Sequence, residues 1–572
     1  MRKGKYVNIL VVVFFLSLVR TFWNNDGISL TNMITEINSL ASKRTPFKRR
    51  KELTIVAKKI SDLQKKLIGH QHPKSQISDN KIVNRQQKIT NQLIKYKKVL
   101  CNNTTSNFGL TILPSDIQLD IKGSNLPQPN FPLYVTSKGK KTHFQLIVTA
   151  YEDIKNIEIE FYNSNDRLIE CYLGDYVLCT PSPYFNETKW YQDPLFPFIK
   201  KNNKFKISRN FKPLKKNESY PIWVSIKQNT DELTLNCKVT VSGQSKSSFQ
   251  TKITIKKILH KRKNLDIIVL NSFNHAWTNI YYQDSNLVKK NRFYNNQFLT
   301  KYNLDPTLLY TANKANDLFP KIQDNIDNKG PIVIYNFQNF KEIYNDSTKQ
   351  KETLKTIKKR EQYLTSINQI KNSYVYLFDE LTENQNYKLV WVSNWLKKND
   401  VKSKLLTTSS YLSGNENIDI WCVLLQDYET LKNKFKGEMW VYICNTTAPP
   451  LPNFLIENDK KGFDKLYTFF ETRPRIKGLL YYATNNWRGN MINHEKTFAP
   501  ISQRNKEIMI NRNKNLRWPD IEWISYSYKN FNGDGYLFYP NKNGRFIPSV
   551  RLFLYENLLL DLKKSILLHK TE

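Results

Sequence analysis

The sequence predicts an α/β protein in which a (β/α)₈ barrel of the TIM type follows an all-β sandwich and an N-terminal helical stem. Three stretches with different hydrophobic patterns predict this division: a helical period in residues 26–104, a period of two in 105–260, and short apolar strands alternating with helical stretches in 261–572. With 572 residues and 40% hydrophobic content, the chain is long enough for two or three domains.

The first 25 residues carry an apolar run behind a basic start. Arg2, Lys3 and Lys5 precede the run from Val7 to Val19, which is the order typical of a secretory signal. The run is short for a bilayer span, which needs about 20 residues, yet no small-x-small cleavage site follows it. Residues 1–25 are therefore predicted to be a signal peptide or a type II membrane anchor. Either one would place the chain in the lumen of the secretory pathway, as a secreted or membrane-anchored protein.

Two further features agree with a lumenal location. Six cysteines form an even set without a C-x-x-C pair or a histidine at zinc spacing, so disulfides are predicted, and Cys171 with Cys179 could close a hairpin. Potential N-glycosylation sequons lie at Asn102, Asn103, Asn186, Asn217, Asn345 and Asn445.

Residues 26–104 are Lys-rich and are predicted to form a helical stem. Leu53, Val56, Ile60, Leu63 and Leu67 follow the 3-4-3-4 spacing of one helix face. The run is shorter than the three or four heptads typical of a coiled coil. Self-association through the stem and a helix packed on its own domain therefore stay open as alternatives.

Residues 105–260 show the alternation of β-strands. The runs from Ile157 to Phe161 and from Leu233 to Val241 place apolar residues at every second position, with Gly, Asn, Asp and Ser between the runs. This pattern predicts a β-sandwich. Its role is either structural or carbohydrate-binding, and the sequence does not choose between the two.

Residues 261–572 contain short apolar strands with helical stretches between many of them. About seven strands in this span fit a (β/α)₈ barrel, and an open α/β sheet is the alternative. No Gly-rich phosphate loop follows a strand, which argues against nucleotide binding. The predicted strands are 265–270, 331–335, 374–378, 404–407, 418–425, 439–444 and 478–483.

The strongest candidate for chemistry is the pair Asp379 and Glu380, which ends the apolar strand beginning at Ser373. In a barrel the site lies at the C-terminal ends of the strands. Two neighbouring carboxyl groups there can divide their roles, one protonated as a general acid and the other ionised. The alternative is that Asp379 caps the following helix and Glu380 occupies its first turn.

Aromatic and amide side chains stand at other strand ends and are predicted to bind a sugar. Aromatic rings stack on the apolar faces of sugars, and amides bond hydroxyl and acetamido groups. The alternative for any one of these aromatics is a place in the core. Neither a metal site nor a nucleophile pair stands out, and no metal or organic cofactor is predicted. The predicted substrate-binding residues are Trp421, Tyr442, Tyr482, Asn485 and Trp487.

The formal net charge is +38 and the pI is about 9.7. Such a charge suits an anionic partner. Lysine is dispersed along the chain with abundant asparagine, however, and no nucleic-acid motif concentrates it, so a nucleic-acid partner is not predicted. Selection of an acidic or sulfated glycan remains the functional alternative to a solvated basic surface.

Several blocks of the C-terminal half resemble the catalytic domain of glycoside hydrolase family 123. Residues Tyr374 to Glu380 match the family's strand that ends in the catalytic Asp-Glu, and Ile418 to Leu425 resembles a later strand of the same domain. Residues Tyr220 to Ile226 are similar to part of its N-terminal β-sandwich. The resemblance covers roughly residues 105–565. Further matching blocks, in the family's order, are 438–454, 477–487, 533–540 and 548–552.

The resemblance implies a β-N-acetylgalactosaminidase-like hydrolase that releases β-linked N-acetylgalactosamine or a related 2-acetamido sugar with retention. The substrate's own acetamido oxygen would attack the anomeric carbon, an exception to the usual two-carboxylate schemes. Asp379 would hold the acetamido N–H, and Glu380 would protonate the leaving oxygen and then activate water. Tyr482, Asn485 and Trp487 match the block expected to shape the sugar pocket.

Two departures from the family pattern accompany the resemblance. Leu381 stands where the family usually has proline, and residues 553–563 lose much of its acidic C-terminal pattern. A catalytically degenerate glycan-binding protein, secreted or on a surface, is therefore the alternative function. A type II Golgi glycosyltransferase would fit the anchor and stem, but no D-x-D motif supports it.

Overall fold

A computed structural model describes residues 107–563, with gaps at 120–133, 138–140, 163–168, 208–212, 228–231, 258–262, 283, 305, 308, 311, 313–329, 338–339, 488–489, 491–522, 524 and 529–530. The predicted signal or anchor at 1–25 and the predicted stem at 26–104 lie outside the described residues. Among the helices of the described part, none has the length and apolar character that crossing a membrane requires.

Two β-sheets built from residues 107–257 face each other across one core, and we call this part the two-sheet domain. One sheet has five strands in the order β1-β3-β9-β5-β6, and the other has six in the order β2-β11-β10-β4-β8-β7. Their strands are β1 Phe108–Pro114, β2 Tyr134–Ser137, β3 Lys141–Ala150, β4 Asn156–Tyr162, β5 Ile169–Cys179, β6 Lys189–Pro197, β7 Ile199–Lys201, β8 Lys204–Lys206, β9 Ser219–Lys227, β10 Glu232–Ser242 and β11 Lys246–Lys257.

The two sheets differ in how many of their faces are buried. Strand β10 alternates between buried and half-exposed positions because one face of its sheet meets solvent. Strands β5 and β9 are buried at nearly every position. Their inner face joins the shared core of the two sheets, whereas the outer face, with Trp223 and Tyr172, packs on the rest of the molecule. The five-stranded sheet is therefore the layer that carries the second domain.

Residues 263–563, the α/β domain, contain an entirely parallel eight-stranded sheet in the order β13-β12-β19-β18-β17-β16-β15-β14. Two short antiparallel pairs, β20-β21 and β22-β23, follow it. The strands are β12 Ile268–Ser272, β13 Pro306–Thr307, β14 Ile332–Asn336, β15 Ser373–Tyr376, β16 Lys404–Thr407, β17 Ile420–Leu424, β18 Glu438–Ile443, β19 Ile476–Tyr481, β20 Tyr526–Tyr528, β21 Phe531–Asn532, β22 Phe538–Pro540 and β23 Phe546–Pro548.

The prediction of a closed (β/α)₈ barrel is wrong. In the described part of the chain, β13 pairs only with β12 and β14 pairs only with β15, so the sheet is open between these two edges. Strand β13 has only two residues, which leaves few backbone groups with which to close the sheet. Residues 408–418, between β16 and β17, also lack the helix that a complete β/α repeat would place there. The sheet is an open half-barrel.

The helices of the α/β domain pack against this sheet, and the last one also joins the two domains. That helix, α8, begins after the N-cap Ser549, whose hydroxyl accepts the Leu552 N–H. It is buried on nearly all sides, since Phe553 contacts the rings of Tyr172 and Trp223 in the two-sheet domain. The helices are α1 His275–Tyr282, α2 Ser285–Lys301, α3 Phe340–Asn345, α4 Ser347–Ser366, α5 Asn386–Lys398, α6 Tyr428–Leu431, α7 Gly462–Glu471 and α8 Val550–Leu562.

A buried ion pair joins the two domains. Arg551 of α8 and Asp193 of β6 are both fully buried, and their side chains meet at 2.8 Å. The same guanidinium donates to the carbonyls of Phe454, Gly533 and Tyr536. Because these carbonyls lie in loops of the α/β domain, the pair fixes those loops against the two-sheet domain.

The predicted disulfides are absent from the described residues. Cys171, Cys179, Cys237, Cys422 and Cys444 are all free thiols. Cys171 and Cys179 lie on the same strand, β5, so strand geometry separates them by roughly 25 Å. A disulfide needs Cα atoms within about 7 Å, and the predicted hairpin closure is therefore wrong.

Candidate active site

Asp379 and Glu380 lie just beyond the C-terminal end of β15, and both side chains are exposed. The two residues before them, Leu377 and Phe378, are buried. Glu380 has a φ of +49°, a left-handed conformation that costs non-glycine residues energy and that clusters at functional sites. The pair is thus presented on a sharp turn above a buried strand, and it does not form the first turn of a helix, because α5 begins only at Asn386.

Two hydroxyl groups hold the carboxylate of Asp379. Its Oδ1 accepts hydrogen bonds from the Tyr376 hydroxyl at 2.8 Å and the Thr408 hydroxyl at 3.0 Å. Burial, together with the charge of Asp379, raises the pKa of Tyr376 well above its usual range. Tyr376 therefore stays a donor at physiological pH, and it orients Asp379 from below.

Tyr442 holds the neighbouring carboxylate in a similar way. Its hydroxyl donates to Glu380 Oε1 at 2.7 Å. Burial and then the charge of Glu380 raise the pKa of Tyr442, so this donor also stays protonated. Each of the two carboxylates thus has its own tyrosine donor, one from β15 and one from β18.

The turn that carries the pair is held by the loop that follows β16. The Leu381 carbonyl accepts hydrogen bonds from the hydroxyls of Ser409 and Ser410 and from the Ser410 N–H. The Leu381 side chain is buried in the core beside β15. These contacts fix the loop at Leu381, the position where the family that the sequence resembles usually has proline.

A third carboxylate, Asp534, lies further round the same end of the sheet. It is buried, and it accepts a 2.6 Å hydrogen bond from the hydroxyl of Tyr482. Gly535 makes this approach possible, since a Cβ there would lie 2.4 Å from the Tyr482 hydroxyl oxygen and the residue has a φ of +73°. The charge of Asp534 adds to burial in raising the pKa of Tyr482.

Sheet register explains why these side chains converge. Thr408 lies two residues after Leu406, so the two side chains point to the same face of the sheet. Leu406 in turn pairs with Tyr376. Tyr442 of β18 pairs with Leu480 of β19, and Tyr482, two residues after Leu480, points to the same face as Leu480. Side chains alternate between faces along a strand. Tyr376, Thr408, Tyr442 and Tyr482 therefore belong to one face, which we call the inner face.

Trp421 lies on the opposite face of the sheet. Trp421 pairs with Met439. Because Met439 is three residues before Tyr442 on the same strand, these two side chains point to opposite faces of the sheet. The Trp421 side chain is buried against Phe435, and its indole N–H donates to the Ser409 carbonyl at 2.7 Å. In this position Trp421 supports the loop that holds Leu381.

Asn485 and Trp487 are also fully buried. The Asn485 side chain accepts a hydrogen bond from the Asn274 N–H and donates to the Asn274 carbonyl and the Thr278 hydroxyl. These bonds tie the loop after β19 to the segment after β12. The Trp487 indole donates to the Phe538 carbonyl.

The structure thus gathers Asp379, Glu380, Tyr442 and Tyr482 at the inner face, while Trp421, Asn485 and Trp487 are engaged inside the protein. Contact of any of them with a substrate stays a prediction.

The site contains further residues that sequence analysis did not single out. Thr408 directly follows the predicted strand 404–407, and this position at a strand end is the sequence signal that marks it. Asp534 lies between two glycines, an arrangement typical of a tight turn. Tyr310 is half-buried and lies close enough that the charges of Asp379 and Glu380 add to burial in raising its pKa, but no strand pattern marks it. Among the described residues, no group of three or more His, Cys, Asp and Glu side chains could hold a metal ion.

No protein-family model matches the sequence, and no curated protein matches it. Among solved structures, the chain is similar to a family 123 glycoside hydrolase from Clostridium perfringens, which was analysed for its hydrolysis of glycolipid glycans. The two are 15% identical, and the match covers 79% of this chain and 87% of that one with a TM-score of 0.54. This likeness shows a shared, distantly related fold.

Other solved structures overlap with smaller parts of the fold. A xyloglucanase of glycoside hydrolase family 5 from Bacteroides ovatus is 9% identical, with 61% of this chain and 91% of that one covered and a TM-score of 0.21. The collagen-binding subdomain of the surface protein ACE from Enterococcus faecalis is 12% identical, with 21% and 90% covered and a TM-score of 0.15.

Proposed function

We propose that the protein is a glycoside hydrolase that releases β-linked N-acetylgalactosamine, or a related 2-acetamido sugar, by substrate-assisted retaining hydrolysis. The observation that carries the proposal is the adjacent, exposed pair Asp379 and Glu380, with each carboxylate bound by a separate buried tyrosine. A shared fold with a family 123 glycoside hydrolase supports it.

The geometry suits two different roles for the two carboxylates. Asp379 is fixed by the Tyr376 and Thr408 hydroxyls, so it can accept the acetamido N–H and position the acetamido oxygen for attack on the anomeric carbon. Glu380 would donate its proton to the leaving oxygen as the glycosidic bond breaks. It would then take a proton from the water that opens the cyclic intermediate.

The neighbouring hydroxyl donors serve this scheme by setting orientation. Reacting groups must be held close to their productive geometry for proximity to lower the barrier. Tyr442 binds one oxygen of Glu380, which restricts how the carboxyl group can turn. Glu380 also occupies a left-handed backbone conformation, and such strain persists only where the surrounding structure imposes it. These features favour a catalytic role for the pair over a purely structural one.

The test is hydrolysis of 4-nitrophenyl β-N-acetylgalactosaminide, the matching glucosaminide and the plain β-galactoside by the full-length protein. We expect turnover of a 2-acetamido substrate and none of the galactoside, which lacks the internal nucleophile. Asp379→Asn and Glu380→Gln should each lower kcat/KM by about two to four orders of magnitude. Glu383→Gln, an exposed neighbour in the same loop, is the matched control and should retain activity.

Two results would contradict the proposal. Equal turnover of the galactoside would exclude substrate assistance. Absence of turnover with well-folded protein would favour a catalytically degenerate glycan-binding protein, for which binding of N-acetylgalactosamine measured by calorimetry is the next experiment.

A further inference from the structure

One loop of the two-sheet domain contacts the α/β domain at the loop that follows β18. Ser182 and Phe185 pair through two backbone hydrogen bonds, which makes a tight turn between β5 and β6 with Tyr184 near its tip. The Tyr184 hydroxyl donates to the Asn445 carbonyl at 2.9 Å. Its half-buried ring contacts Phe531 with the two centroids 5.3 Å apart. Tyr184 thus belongs to one domain by sequence and contacts the other.

The base of this loop is anchored to the α/β domain. The Asn532 amide donates to the Thr180 carbonyl at 2.9 Å, and the Ser525 hydroxyl donates to the Leu178 carbonyl at 2.7 Å. Asn532 and Ser525 are both buried and also bond each other. The position of Tyr184 is therefore set by buried hydrogen bonds and not by the exposed turn alone.

Tyr184 contacts the loop that follows β18, the strand that carries Tyr442, and the charges of Cys444 and Asp534 add to burial in raising the pKa of Tyr184. Asn445, which it contacts, comes three residues after Tyr442, the donor to Glu380. Cys444, between them, lies within electrostatic reach of two carboxylates, because the charges of Asp534 and Glu380 add to burial in raising the pKa of its thiol. Asp379 is held by Tyr376 of β15 and by Thr408, which directly follows β16.

We propose that Tyr184 is a specificity-determining residue that binds the leaving-group sugar by stacking its ring on that sugar. The inference rests on the proposed function, in which Glu380 protonates the oxygen of the leaving group. A partly exposed tyrosine offers a flat apolar face to a sugar ring at little cost in conformational freedom. The two-sheet domain is then part of the substrate site as well as a scaffold.

The test compares substrates with and without a leaving-group sugar. One is a disaccharide with β-N-acetylgalactosamine linked to galactose, and the other is the methyl β-glycoside of N-acetylgalactosamine. Tyr184→Ala should lower kcat/KM for the disaccharide by about tenfold and leave the methyl glycoside within about twofold, because an aromatic contact is worth roughly one power of ten in affinity. Tyr184→Phe keeps the ring and should retain most of the disaccharide activity. Glu187→Ala, exposed in the same loop, is the control.

A binding measurement separates this inference from the proposed function. The non-hydrolysable thio-linked disaccharide and free N-acetylgalactosamine are titrated into wild type and Tyr184→Ala by calorimetry. Weaker binding of the disaccharide alone supports the role of Tyr184, even if wild type turns over neither substrate and the hydrolase proposal fails. Equal effects on both ligands, or on neither, overturn the inference, as does a wild-type protein that binds neither.

Discussion

Two groups of carboxylates in this molecule are held in opposite ways. At the domain junction, Asp193 is fully buried, and its charge is neutralised by Arg551 at 2.8 Å. At the strand ends, Asp379 and Glu380 are exposed and are bound by neutral hydroxyl donors. A buried charge needs a compensating charge because it has lost its contact with water. An exposed carboxylate is solvated, so it can stay without a counter-charge and can contact a substrate. The comparison separates carboxylates that hold the fold from carboxylates that can act on a substrate.

The largest effect on stability is expected at the junction. Arg551→Met would leave the Asp193 charge buried without its partner and three carbonyls without their donor. Breaking such a pair costs about 3–5 kcal/mol of unfolding free energy, which urea denaturation can measure. Arg545→Met, at an exposed arginine that stacks over Tyr294, should cost under about 1 kcal/mol. Comparable losses in the two variants would contradict the distinction between buried and exposed charges.

Glu457, at the junction, should contribute to the pH dependence of stability. Burial raises its pKa from 4.5 to about 7. The folded state therefore binds the proton more tightly than the unfolded state, and the stability that this contributes is complete below pH 4.5 and is lost as pH rises through 7. The loss amounts to about 3 kcal/mol. Burial lowers the pKa of Lys460 from 10.5 to about 8, so its contribution changes at higher pH, between 8 and 10.5.

Glu457→Gln tests this assignment. The variant should lose less stability than wild type between pH 4.5 and 7, as measured by denaturation at several pH values. Glu342→Gln, at an exposed glutamate of α3, should follow the wild-type curve. Parallel curves for wild type and Glu457→Gln would show that another group controls the pH response.

A smaller effect, on activity rather than stability, is expected at Tyr442. Tyr442→Phe removes the 2.7 Å hydrogen bond to Glu380 and should lower kcat/KM by about 10- to 100-fold, since a hydrogen bond to a charged group is worth about 1.5–3 kcal/mol. Tyr374→Phe, which alters a buried tyrosine packed on Trp440, is the matched control and should leave kcat/KM unchanged. Equal losses in both variants would point to a general packing effect.

The strands of the α/β domain were predictable from sequence, but the closure of the sheet was not. Seven apolar runs lie within a few residues of observed strands, because burial of a parallel strand on both faces leaves a continuous apolar signature. Closure depends on pairing between distant edges. No local pattern marks Pro306–Thr307 as a strand of only two residues.

The position of a candidate residue was predictable where that residue ends a strand. Asp379, Glu380, Tyr442 and Tyr482 lie at or just beyond strand ends, as predicted, and their roles stay predictions. A one-residue change in position moves a side chain to the other face of a sheet, which is why Trp421 could not be assigned to a face before the pairing with Met439 was known. Asp534 lies in a loop distant in sequence, and only the folded chain brings it beside Tyr482.

Stability and hydrolysis measured together in Glu380→Gln test the catalytic assignment most sharply. Because Glu380 is exposed and glutamine keeps an acceptor for the Tyr442 hydroxyl, the variant should leave the free energy of unfolding unchanged. It should lower hydrolysis of the 2-acetamido glycoside by at least about two orders of magnitude. Loss of stability with activity retained would instead make Glu380 a structural residue.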